Sequence, residues 1–366
     1  MSTVYDNWER LVAAVLRREE LWELCHAPSR TSSTSSISSD FSSIYLIDMG
    51  SSLNFPNPRF VSNKLQSFLG IKVGKRNSGL VFIDGSGLEF RLEDLLGASL
   101  VFLGDELHSF SSSFAAILQN GITVVVKKLY IGRVARKVFD ERTKILTSFK
   151  NENVVALRGY YISEDYMLVL YDYFIQGSVF SMLHRKRGDD RVQLDWETRV
   201  RIAIGTARGL AYIHTQCGGK LVHGNIKASN IFLNSEQYGC LADIVWEDLV
   251  NPTTLRTLSR NSGYHAPEFM ATGKVSQACD VYSFGVLLLE LLTGRSPLNR
   301  YLAHWTQINA RDGLNVLVYD VQTLRNPIVK QEMCNVLEIA LHCVEDKPEN
   351  RPNMNRVVNM VELIVP

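Results

Sequence analysis

A change of hydrophobic period near Gly177 does most to limit what this chain can fold into. Ahead of it lie short β-type runs: Leu80 to Ile83, Ser113 to Leu118, Ile122 to Leu129, Val155 to Ile162 and Tyr166 to Tyr171. Such runs of β-branched and aromatic residues bounded by turn formers read as strands. Glu89 to Leu96 reads as a short lead-in strand turning into a helix, and a helical stretch from about Arg136 to Phe149 interrupts the sheet. After Gly177 apolar residues recur at three and four, over Val179 to Arg187, Trp196 to Thr215, Cys279 to Leu292, Gln331 to Val344 and Met354 to Val365. A sheet followed by helices predicts an α+β molecule of two lobes, with Asp172 to Gln176 as the hinge between them.

The length of 366 residues allows a large core, and the usual domain size suggests two domains or one two-lobed unit. Hydrophobic residues at 46% and charged residues at 21% exclude disorder throughout. A net charge of +1 leaves no global field that would favour nucleic acid or an anionic membrane. The six cysteines, Cys25, Cys217, Cys240, Cys279, Cys334 and Cys343, show no close pairs of the zinc-binding kind. They read as reduced core thiols of a cytosolic chain, and the start of the sequence has no leader pattern. No apolar run approaches the roughly 20 residues a spanning helix needs, the nearest being Val286 to Leu292, and Met1-Ser2 lacks the glycine required for myristoylation.

The N-terminal 28 residues carry Val4, Trp8, Leu11, Val12, Val15 and Trp22 at helix-face spacing. Three arginines (Arg10, Arg17, Arg18) against five carboxylates (Asp6, Glu9, Glu19, Glu20, Glu23) leave this segment at −2, which disfavours acidic lipids. An amphipathic helix docking on a protein partner or on the chain's own body is the expectation. Residues 29–79 read as a linker: they begin with a Ser/Thr-rich run, SRTSSTSSISSDFSS, that is a tether or a phosphorylation substrate, and continue loop-like through Pro, Asn and Gly.

Chemistry-bearing residues cluster in the second lobe. Leu221-Val222-His223-Gly224-Asn225-Ile226-Lys227-Ala228-Ser229-Asn230 is followed, after a short strand pair, by Ala242-Asp243-Ile244-Val245. Val124-Val125-Val126-Lys127 precedes them, and Ala266-Pro267-Glu268 and Asp280-Val281-Tyr282-Ser283-Phe284-Gly285 come after. In this order the motifs resemble a protein kinase. GLVFIDGSGLEFRLEDLLGAS, RIAIGTARGLAYIH and HCVEDKPENRPNM narrow the resemblance to the kinase domains of plant leucine-rich-repeat receptor-like kinases, over about Leu80 to Val365. The resemblance implies a bilobal kinase-like fold over 80–365, with a small β-sheet N-lobe of about 98–173 holding one helix and a mainly helical C-lobe of about 174–365.

The family's chemistry needs a glycine-rich turn over ATP phosphates, a Lys–Glu pair, a catalytic Asp, and an Asp and an Asn for magnesium. The resemblance makes Lys127 the phosphate-binding lysine and Asp243 and Asn230 the Mg ligands. It retains Lys227, and makes Tyr171, Asp172 and Tyr173 the guard and hinge of the nucleotide cleft. The catalytic Asp is replaced by Asn225, and the preceding arginine by Gly224. An amide holds a hydroxyl but takes no proton, so a factor of roughly 10² to 10⁴ in rate is lost. In the glycine-rich loop only Gly104 remains, with His108 and Ser111 near the other two positions. Asp105 and Glu106 add like charge, each costing ATP on the order of 3 kcal/mol before screening. Arg142 stands where the pairing glutamate belongs, and Glu141 points about 100° around the helix. Ile244 and Val245 replace the Phe and Gly after Asp243, which stiffens that segment.

The resemblance also implies fold-holding roles: Glu268 pairing with Arg351, and Asp280 holding the backbone near His223. Thr253, Thr254, Thr257, Ser259 and Ser262 are candidate phosphoacceptors, without the arginine that commonly reads such a phosphate. Together these readings point to a receptor-like pseudokinase, cytoplasmic or recruited to the inner face of the plasma membrane. It would act as a scaffold or allosteric partner of receptor kinases and other signalling proteins, with ATP and Mg weak or absent. The alternatives are a weak atypical Ser/Thr kinase using Lys127, Lys227, Asn230 and Asp243, and a nucleotide sensor without turnover. Packing of Phe110, Ile244 and Val245 into the cleft would favour the scaffold over the sensor.

Overall fold

A computed structural model describes residues 80–83, 87–88, 90–104, 111–130, 143–163, 166–184, 194–244, 263–297, 301–313, 318–320 and 327–364. The expected N-terminal helix and linker lie outside these residues, as do Asp105, Glu106, His108, Phe110, Glu141, Arg142, Val245 and the hydroxyls from Thr253 to Ser262.

The first lobe is one six-stranded antiparallel sheet. Its strands are β1 (Val81–Phe82), β2 (Ser99–Gly104), β3 (Ser111–Ile117), β4 (Thr123–Tyr130), β5 (Gly159–Ile162) and β6 (Tyr166–Asp172), in the order β1-β5-β6-β4-β3-β2. Alternation along β4 explains both of its faces. Val124 and Val126 are buried with Phe114, Leu168 and Leu170 on one side, where the short helix α1 (Leu92–Leu96) adds Leu95 and Leu96. Val125 and Lys127 fall on the other face, opposite Tyr171 and Val169 in the ladder. On that side Leu157, Met167 and Val169 pack with Leu146 of a helical turn, α2, at residues 143–147.

Three sequence expectations differ from this lobe. The lead-in to α1 is not a strand at residues 90–91, because Arg91 serves as the helix N-cap and its N–H donates to Asp94 at 2.8 Å. Strand β5 begins at Gly159 rather than Val155, since Val155 N–H is already given to Leu241 O at 2.8 Å across the lobes. The sheet also reaches ahead of residue 98, as Val81 and Phe82 pair with Tyr160 and Gly159. That close approach needs Gly159, since a Cβ there would lie 2.9 Å from Val81 O.

The second lobe holds α3 (Val179–His184), α4 (Trp196–Gly219), the hairpin β7 (Ile231–Leu233) and β8 (Gly239–Leu241), α5 (Pro267–Thr272), α6 (Gln277–Thr293), α7 (Tyr301–Arg311), α8 (Pro327–Cys343) and α9 (Met354–Glu362). Regular helix in α4 gives way at Gln216, close to where the apolar period of the sequence ends. Every residue of α6 from Cys279 to Thr293 is buried, as a helix apolar on all sides should be. Ser276 caps its start by accepting the Cys279 N–H at 3.2 Å, and Gly294, at φ +66°, ends it in the left-handed conformation. Strands β2 and helices α5 and α7 were not foreseen as elements. Among the described residues no helix is long and apolar enough to cross a membrane.

Candidate functional site

Asp280, in the first turn of the buried helix α6, organises the loop between α4 and β7. Its Oδ1 accepts the Gly224 N–H at 2.7 Å, and its Oδ2 accepts the His223 N–H at 2.7 Å. His214 of α4 adds a contact from Nε2 at 2.9 Å. Two backbone donors from consecutive residues on one carboxylate fix the loop's direction. Gly224 adopts φ +73°, a region closed to most side chains, so glycine suits this turn where the resemblance calls for arginine.

The fully buried ring of His223 fixes the next residues. Its Nε2 lies 3.0 Å from Ala242 O, which has no proton, so Nε2 carries the hydrogen. Its Nδ1 then accepts the Asn225 N–H at 3.2 Å. Burial first of all pushes the imidazole pKa below its ordinary value, outweighing the nearby Asp280 and Asp243 carboxylates, and the ring stays neutral. Asn230, in a 3₁₀ turn with Ala228, donates from Nδ2 to Asn225 O at 2.9 Å. Asn225 is thus held on both sides by its backbone.

Asp243 follows β8 in the left-handed conformation, φ +66°, a strain of about 1–2 kcal/mol that an aspartate tolerates when other contacts hold it. Those contacts are present. Lys127 of β4 reaches down to pair with Oδ1, and the Asn225 side-chain amide donates to Oδ2 at 3.1 Å. The amide must present its nitrogen here, because its oxygen would repel the carboxylate. Burial alone would raise the Asp243 pKa, but Lys127, by charge and hydrogen bond, together with the charge of Lys227, holds it below the usual carboxylate range.

Around this centre, burial and then the Asp243 charge push the Tyr171 phenol far above its ordinary pKa, and burial raises that of Tyr173. The Asp172 carboxylate is engaged by Arg158, whose Nε lies 3.0 Å from each oxygen and whose Nη2 lies 2.6 Å from Oδ2. Next to it, Phe174 stacks on Phe232 of β7 with ring centroids 4.8 Å apart. Gly104 ends β2 and pairs with Ser113 after a register shift. Ile244 packs against the second-lobe core, while its expected companions Phe110 and Val245 lie outside the described residues.

Glu268 and Arg351 meet in a bidentate pair, Nη1 to Oε1 at 2.6 Å and Nη2 to Oε2 at 2.9 Å. The guanidinium also lies over the Tyr282 ring at 4.9 Å. Two further groupings escaped the sequence reading. Glu290, fully buried, meets His184 Nε2 at 2.7 Å and receives the Tyr264 hydroxyl, which in turn accepts the Ala228 N–H at 3.2 Å. A lone carboxylate inside the apolar run Leu287 to Leu292 was the signal for it, since such a group must be partnered. His214 on Asp280 left a similar trace, a polar residue on the buried face of α4.

The residues fit a resident magnesium poorly. Mg²⁺ demands near-octahedral oxygen coordination. Asp243 has an ammonium on one oxygen and an amide donor on the other, and Asn230 offers a single side-chain oxygen. No cluster of three His, Cys, Asp or Glu suited to a metal occurs among the described residues.

The sequence model of the family described as protein tyrosine and serine/threonine kinase matches residues 109–361. A probable inactive receptor kinase of Arabidopsis thaliana is 44% identical over 293 residues, covering 78% of this chain and 46% of the relative. A probably inactive receptor-like protein kinase of the same plant is 39% identical over 313 residues, 77% of this chain and 86% of the relative. The chain spans about half the length of several of the curated relatives it matches. Among solved structures, the pseudokinase domain of BIR2, an immune regulator of the RLK/Pelle family, superposes with a TM-score of 0.67 at 27% identity, covering 78% of this chain and 90% of that one. The maize SIRK1 kinase domain bound to AMP-PNP gives a TM-score of 0.68 at 30% identity, covering 78% and 100%. With its two lobes, the Lys127–Asp243 centre and these relatives, the chain belongs to the protein kinase family, among plant receptor-like kinases.

Proposed function

We infer that this protein is a kinase-fold binding module that does not transfer phosphate and acts in receptor-like kinase signalling as a scaffold or allosteric partner. The observation that carries the reading is the Asn225 amide, which donates to Asp243 at the position that the motif resemblance gives to the proton-accepting aspartate. An amide cannot serve as general base at any accessible pH. Relatives named as inactive kinases, and the likeness to a pseudokinase domain, support the same reading. The partners it fits are receptor kinases, with the N-terminal 28 residues, on their sequence pattern, as the docking element. Deleting those residues should abolish capture of a co-expressed receptor kinase and leave the melting temperature of the body nearly unchanged; loss of several degrees would mean that the segment packs on the body instead.

A nucleotide sensor is the second reading, favoured by the retained Lys127, Asn230 and Asp243 and by the AMP-PNP held by the similar maize kinase. Thermal shift with ATP separates the two, because a scaffold with a closed cleft shows no shift and a sensor is stabilised.

A further inference from the structure

A hard divalent cation needs oxygens with free lone pairs pointing at it, and it needs net negative charge. The Asp243 carboxylate supplies neither in full. Lys127 pairs with it at Oδ1 and cancels its charge. At Oδ2 the Asn225 amide presents hydrogens with partial positive charge and no lone pair. This arrangement is held from behind, since Asn230 fastens the Asn225 carbonyl and His223 fastens its N–H.

We propose that Asn225 is the specificity-determining residue that closes this cleft to divalent cations, its side-chain amide taking the place on Asp243 Oδ2 that a cation would occupy. The inference rests on the non-transferring reading given above. An aspartate at 225 would reverse the sign of that position. It would set a second carboxylate beside Asp243 and leave the two most readily satisfied by a shared cation.

The test is titration of the full chain with Mn²⁺ alone, following the free-ion signal by electron paramagnetic resonance. The wild type should leave the signal unchanged at millimolar Mn²⁺. Asn225→Asp should deplete it, with affinity higher by roughly ten- to hundredfold, and excess Mg²⁺ should restore it. Adding Asp243→Asn to that variant should abolish the gain. Asn225→Ala, which uncaps Oδ2 without adding charge, should show a smaller gain and serves if the aspartate variant does not fold. Wild-type depletion of Mn²⁺ that disappears in Asp243→Asn would overturn the proposal. So would folded Asn225→Asp and Asn225→Ala proteins that both behave like wild type. Phosphate transfer measured on the same wild-type protein keeps the two claims apart: cation binding without transfer sinks only this inference, whereas transfer sinks the functional reading as well.

Discussion

Lys127 and Asn225 divide the Asp243 carboxylate between them, the ammonium on Oδ1 and the amide on Oδ2. One partner comes from the sheet and the other from the loop beneath it, so the bond pattern ties the two lobes through a single side chain. The Lys127 and Asp243 side chains are only 17% and 30% exposed, which puts the pair between surface and core cases. Lys127→Met should therefore lower unfolding free energy by about 1–3 kcal/mol, chiefly by leaving the carboxylate unpaired. Urea denaturation at neutral pH measures it.

Acid stability should fall in two stages. His223 has its pKa depressed in the fold, so its contribution is complete above the unfolded value of about 6.5 and is lost as pH falls through the lower folded value. Asp243 is also depressed, so its contribution is complete above about 4 and is lost as pH falls through its own folded value. Unfolding followed from pH 8 to pH 3 should show both losses, and Lys127→Met should flatten only the more acidic one.

Removing the charge of Asp280 should be more damaging than removing that of Asp243. Asp280→Asn keeps one acceptor oxygen for two backbone donors and sets an amide NH₂ against the other. A loss of about 2–4 kcal/mol is expected. Circular dichroism melts of the purified chain would register it as a drop of several degrees.

In the second lobe, Arg351→Lys should cost about 1–3 kcal/mol despite keeping the charge, because an ammonium cannot reproduce the two parallel bonds to Glu268 or the guanidinium's contact with the Tyr282 ring. A double-mutant cycle with Glu268→Gln should show strong coupling between the two sites.

The sequence revealed this architecture unevenly, and for physical reasons. Lys127 could be placed on a strand because Val124 to Val126 announce one, and the α6 helix because its apolar run has room only in a core. The meeting of Glu268 with Arg351 across 83 positions was accessible only through family resemblance, since no local pattern encodes so distant a contact. The pairing of Lys127 with Asp243 was missed, because the sequence showed a glutamate missing from its expected place and not which carboxylate would replace it. Strand β2 was not foreseen because its end runs into the stretch that reads as the glycine-poor loop, and β5 was drawn too long because Val155 reads as strand while its N–H bonds to Leu241 O.

Restoring one residue should not restore chemistry. On the proposed reading Asn225→Asp returns a proton acceptor, but the sequence pattern still sets Asp105 and Glu106 against phosphate and puts Arg142 in place of the pairing glutamate. Transfer by this variant should stay within background in a radiolabel assay; turnover near that of active relatives would mean the loop and helix defects are minor.

The central claim is tested most directly by transfer of the γ-phosphate of radiolabelled ATP, with Mg²⁺, from the full chain to itself and to a generic protein substrate, in parallel with Lys127→Ala. The account predicts that wild type and variant are both indistinguishable from background. Robust wild-type turnover that vanishes in Lys127→Ala would contradict it.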